Sequence, residues 1–121
     1  MIRLGNSEQV EETFDLAGDW IRTLLWTEDD ASETPVQADG TTIRIAFAKK
    51  LGDTPLLELV GAAFATVDGS SPYQISMIIT KEQLAALSGT PVGQIQLTAD
   101  DVGSGESFVL MRGRFVVIEK L

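Results

Sequence analysis

Residues 73–88, YQISMIITKEQLAALS, decide the fold. Tyr73, Ile75, Met77 and Ile79 alternate with Gln74, Ser76, Ile78 and Thr80, the two-residue period of a half-buried antiparallel strand. The period then changes. Thr80, Lys81, Glu82 and Gln83 form a capping-box sequence, in which the threonine hydroxyl accepts the N–H of Gln83 and the Gln83 side chain reaches back. Leu84 and Leu87 share one face of the resulting short helix over 81–87, Gly89 supplies a left-handed end, and Pro91 prevents the helix from resuming. A short helix between two strands predicts a crossover between sheets, with its leucines closing one end of the core.

The alternation recurs outward in both directions. Thr41–Ala48 directs Ile43, Ile45 and Phe47 inward against Thr42, Arg44 and Ala46, and Lys49 and Lys50 then meet solvent. Residues 93–98 direct Ile95 and Leu97 inward and Gln94, Gln96 and Thr98 outward. Trp20–Thr27 sets Trp20, Arg22, Leu24 and Trp26 on one face and Ile21, Thr23, Leu25 and Thr27 on the other. Both of its faces carry apolar groups, which suits a central strand or one covered by a partner. Residues 56–60 and 63–67 are shorter segments of the same kind. Residues 107–111 and 115–118 form the last strands, or halves of one strand, with Arg112-Gly113 placed where a bulge bends the chain. Turn signals separate these runs at Asp39-Gly40, at 52–55, at 68–72 and in the hairpin loop 99–105. Seven or eight short strands with one short helix near 81–87 predict an all-β, immunoglobulin-like two-sheet sandwich. Residues 1–12, polar and acidic, read as a flexible or edge-strand arm whose removal leaves the monomer folded. Residues 13–121 read as a single sandwich domain.

Composition narrows the chemistry. The 121 residues include no cysteine and no histidine, so neither thiolate catalysis nor an imidazole base or ligand is at hand, and carboxylates are the acid–base groups that remain near neutral pH. The net charge of −9 is uneven, with −7 in residues 1–34 and −2 in the rest. That field repels phosphate backbones, no basic stripe offsets it, and no apolar run approaches the ~20 residues needed to span a bilayer. The expectation is no nucleic-acid partner and no membrane role.

Each candidate site has a plainer reading beside it. Glu28, Asp29, Asp30 and Glu33 gather carboxylates as a hard cation requires, but without alternating acid spacing they read as a solvated loop. Asp100-Asp101 reads as a hairpin tip. Trp20 and Trp26 offer rings for an exposed sugar platform, although tryptophan on an alternating strand is usually core. Arg112 and Arg114 flank Gly113 in an apolar strand. They serve either as charges guarding an exposed edge or as a contact for an acidic neighbour, including the acidic first third of another copy. No catalytic residue, cofactor site or metal site is expected, and Trp20, Trp26, Arg112 and Arg114 are the interaction candidates.

Taken in order, GDWIRTLLWT (18–27), TTIRIAF (41–47), ISMIITKEQLAAL (75–87), QIQLT (94–98) and FVLMRGRFVV (108–117) resemble the small immunoglobulin-like domains of tailed-phage and prophage structural proteins. The N-terminal domain of siphophage baseplate upper protein is the type. The family often carries Asp-Leu-Thr-Gly after a Pro-Val pair, where Gln37-Ala38-Asp39-Gly40 follows Pro35-Val36 here. The resemblance implies a non-enzymatic virion protein made in the bacterial cytoplasm, without cofactor. Such a protein acts as a tail, baseplate or fibre-attachment adaptor through contacts with other virion proteins and with its own copies. A capsid decoration protein and a free-standing module for carbohydrate or a cell surface are the alternative expectations.

Overall fold

The computed structural model describes residues 8–27, 40–50, 52–67, 74–101 and 103–119, and the backbone of residues 2–3. Nine strands run in chain order: β1 (Ile2–Arg3), β2 (Glu8–Asp15), β3 (Trp20–Thr27), β4 (Thr41–Ala48), β5 (Leu57–Val60), β6 (Ala65–Val67), β7 (Gln74–Ile79), β8 (Val92–Asp101) and β9 (Ser107–Ile118). They form two sheets, ordered β1-β3-β7-β6 and β2-β9-β8-β4-β5. β3, β7 and β6 face β9, β8 and β4, with β5 added beside β4, which is the immunoglobulin-like arrangement of a two-sheet sandwich. Eight of the strands have three residues or more; β1 has two.

The deciding stretch folds as its periods predict, apart from Tyr73, which lies outside the described residues. Ile75, Met77 and Ile79 of β7 are fully buried. Gln83 N–H donates to the Thr80 hydroxyl at 3.2 Å and Thr80 N–H donates to Gln83 Oε1 at 2.9 Å, closing the capping box. The helix α1 (Lys81–Leu84) passes into a 3-10 turn (Ala85–Leu87), buries Leu84 and Leu87, and carries the chain from one sheet to the other. Gly89 ends it at φ +82°, a conformation that favours glycine. Replacing the N-cap Thr80 by alanine costs about 1 kcal/mol.

The core divides into two aromatic groups. Phe14 packs tilted against Trp20 at 5.3 Å and stands edge-on to Phe47 at 5.1 Å and Phe115 at 6.3 Å. Trp26 packs with Phe108 at 5.8 Å between centroids. Ile43, Ile45, Ile95 and Leu97 fill the space between sheets, as their alternation predicts.

Three expectations are corrected. The boundary drawn after Glu12 falls inside β2, whose eight residues pair in parallel with β9 from Glu8↔Met111 to Asp15↔Ile118. Parallel partners need a long connection, and the two ends of the chain supply the longest available. Arg112-Gly113 is not a bulge. β9 runs unbroken for 12 residues, and the irregularity lies where Leu97 pairs Met111 and Thr98 pairs Val109, leaving Leu110 over. The extra residue puts Leu110 and Met111 both into the core. Gly113 answers a different demand: a Cβ there would lie 1.9 Å from the Val10 carbonyl oxygen, so the glycine is what lets β2 approach. Finally, β9 is not an edge, because β2 covers it.

Candidate functional site

The registers place outward residues of the five-stranded sheet in rows. One row crosses all five strands as Gln9, Arg112, Gln96, Ala46 and Glu58. The next runs Glu11, Arg114, Gln94 and Ala48. Outward side chains of β4 shrink from Arg44 to Ala46 and Ala48 while the flanking strands keep long ones. The result is a trough of about 490 Å³ over β4. It crosses the sheet, with Gln9, Arg112, Gln94 and Gln96 bordering it on the β2, β9 and β8 side, Glu58 on the β5 side, and Lys50, Gly52 and Asp53 at one end.

Arg44 closes the opposite end. Its guanidinium donates to Asp100 through Nε at 3.0 Å and Nη2 at 3.3 Å, and the Ser107 hydroxyl donates to the same carboxylate. These bonds, with Arg44 the larger cause, hold the Asp100 carboxyl below its usual range, and the Asp100 contact raises Arg44. The fork is therefore charged across the physiological range and fixed in direction. Thr98, expected on the outward side, does face outward opposite Arg44 but is only 3% exposed.

The other sheet presents a different surface. Ile21 lies directly opposite Ile78, and they are 70% and 50% exposed. Around them the outward positions of β3, β7 and β6 are Thr23, Ser76, Thr66, Leu25 and Gln74, none of them ionisable, while Asp19 and Lys81 stand at the end of the sheet, where the Asp19 carboxylate accepts from Lys81 N–H.

The structure separates the four interaction candidates. Trp26 is 1% exposed and belongs to the core, and Trp20 is half-buried against Phe14. The Trp26 ring is therefore closed off in the core, while Trp20 keeps part of its surface and lines a hollow with Thr13, Asp15 and Gly18. Arg112 and Arg114 are exposed on the five-stranded face with no ion pair between them and other described residues. They are not edge guards, since β9 is flanked on both sides. The acidic cluster at Glu28, Asp29, Asp30 and Glu33 lies outside the described residues, as do the turn at 68–72 and most of the loop preceding Gly40.

Three features went unread in the sequence. One is the trough, although outward Gln94 and Gln96 beside outward Ala46 and Ala48 are visible once strands are aligned. Another is the Ile21–Ile78 pair, two isoleucines on the outward phase of separate strands. The last is Arg22, which stands on the core-facing side of β3 and reaches across to ion-pair with Glu8 and Glu12 of β2. Alternation assigned Arg22 to the same face as Leu24 and Trp26, and only the inward phase of β2 supplies its acids. Among the described residues no group of three or more acids is gathered for a metal ion. No protein-family model matches this chain, and no curated protein sequence matches it.

Proposed function

We propose that this chain is a structural adaptor of a tailed-phage or prophage particle, working without catalysis through protein–protein contacts of its sheet faces. The order of motifs from Gly18 to Val117 suggests the particle. The observation that carries the contact role is the uncharged outer face of β3, β7 and β6, centred on Ile21 and Ile78. In a chain of net charge −9, the outward positions of β3, β7 and β6 among the described residues present no like charge to a neighbour. An apolar centre ringed by Thr23, Ser76 and Gln74 also has the anatomy of an interface, with a dry middle and a hydrogen-bonding rim. Its partners are other virion proteins and further copies of the chain.

The test is mass spectrometry of purified particles from the source organism, with copy number counted against the major capsid protein. A few copies per particle support a tail, baseplate or fibre-attachment position. Hundreds of copies move the protein to the tail shaft or to capsid decoration. Absence from the particle overturns the reading.

A further inference from the structure

The outer face of the five-stranded sheet is unlike on its two sides in a way that makes it complementary to itself. Across one row the outward side chains run Arg112 on β9, Gln96 on β8, Ala46 on β4 and Glu58 on β5. The next row runs Arg114, Gln94 and Ala48 and ends at the turn before β5, which holds Asp53 beside Lys50. Reading from β9 to β5, each row is therefore positive, long, short and then acidic. The charges at its ends cannot satisfy each other within one molecule. Arg112 and Glu58 are three strand spacings apart, about 14 Å, and both are exposed with no ion pair to another described residue.

A second copy laid face to face meets both needs at once. A two-fold axis lying between the copies, parallel to the strands and above the gap between β8 and β4, sets β8 of each copy over β4 of the other. It sets β9 over β5 in the same way. Gln96 then stands over Ala46 and Gln94 over Ala48, so long side chains enter the shallow part of the trough and fill the ~10 Å between stacked sheets. Arg112 meets Glu58, and Arg114 falls toward Asp53, each contact made twice by symmetry. β2 lies outside the overlap, so its outward Glu11 faces no acid of the other copy, which matters in a chain of net charge −9. Four overlapped strands of about eight residues give roughly 500 Å² per copy, about 1,000 Å² in all, the lower end for a specific and reversible interface.

We infer that two copies of this chain pair through the outer face of the five-stranded sheet as an isologous dimer, held by Arg112–Glu58 contacts and by Gln94 and Gln96 seated over Ala46 and Ala48. This surface is separate from the Ile21–Ile78 face. The inference does not depend on the particle reading, since the pairing is a property of the isolated chain.

Sedimentation velocity of the full chain over a concentration series tests it. The expected result is a reversible dimer with Kd below about 1 mM. Arg112→Glu and Glu58→Arg, both at exposed positions and each checked for folding by circular dichroism, should weaken it at least about tenfold, because both symmetry-related contacts turn repulsive. An equimolar mixture of the two variants should associate within about threefold of the wild type, since a mixed dimer restores opposite charges at both contacts. Ile21→Lys should leave the dimer unchanged. A chain that stays monomeric at about 1 mM overturns the inference. So do single variants that dimerise as the wild type does, a mixture no stronger than its components, or a dimer that Ile21→Lys dissolves.

Discussion

Single side chains set the tolerances of this sandwich, and two of them make sharp predictions. Gly113 pairs with Val10, and a Cβ would run into the Val10 backbone rather than into a movable side chain. Gly113→Ala is expected to lower stability by about 2 kcal/mol or more in denaturant titration, whereas Gly18→Ala, with open space around it, should stay within about 0.5 kcal/mol. Asp100 makes a pH prediction. Arg44 lowers its folded-state carboxyl, so its stabilisation is full above the unfolded carboxylate pKa of ~3.9 and is lost as pH falls through the folded value. Comparison of wild type with Asp100→Asn should show a difference of about 0.5–1 kcal/mol at pH 7, the range for a partly exposed pair. The difference should shrink below pH 4, and one that grew with acid would contradict the assignment.

At the scale of the element, β2 is the strand whose position the chain has to secure by special means. It lies at a sheet edge, pairs in parallel, and carries inward glutamates at 8 and 12 where a core strand would carry aliphatic groups. Arg22 pairs with both from the opposite sheet, one positive charge against two carboxylates, while Glu8 Oε2 stays buried without a hydrogen bond. Sliding β2 by one residue would turn Glu8, Glu12 and the buried Phe14 outward and bring Gln9, Glu11 and Thr13 inward, so the burial of Phe14 and the pairing with Arg22 together hold register. Arg22→Ala should cost about 1–2 kcal/mol, less than a fully buried pair because all three side chains keep some exposure. Arm removal is revised accordingly. Deleting residues 1–12 strips most of β2 and should lower the melting temperature, while deleting residues 1–7 should leave far more of it intact; equal melts would refute the role given to β2.

For the whole molecule, the two sheets divide the surface by chemistry. One outer face is apolar at its centre and uncharged at the described outward positions of β3, β7 and β6, and the other carries arginines, glutamines and a trough. Neither face supports the core, so substitutions there should separate association from folding. Ile21→Lys combined with Ile78→Lys is expected to change stability by no more than about 1 kcal/mol, two surface substitutions at ~0.5 each. Incorporation into particles, read by mass spectrometry, should fall sharply. Retained incorporation at wild-type copy number would remove the contact role from this face.

What was legible in the sequence was what depends on neighbours in the chain. The alternation of Ile75, Met77 and Ile79, the capping box at Thr80 and Gln83, and the inward phase of Ile43, Ile45 and Phe47 all rest on contacts within a few residues, and all are found in place. The sandwich class followed from them, because strands of that period separated by turns must bury their apolar faces against each other. Tertiary structure alone decided which edges meet. Residue order does not state that β2 pairs with β9, that Gly113 is a point of close approach, or that Glu8 and Glu12 find Arg22. Nor does it say that Gln94, Gln96, Ala46 and Glu58 border one trough. Alternation tells which way a side chain points, but its company is set by strand pairing across a hundred residues, and that pairing exists only once the two sheets have closed.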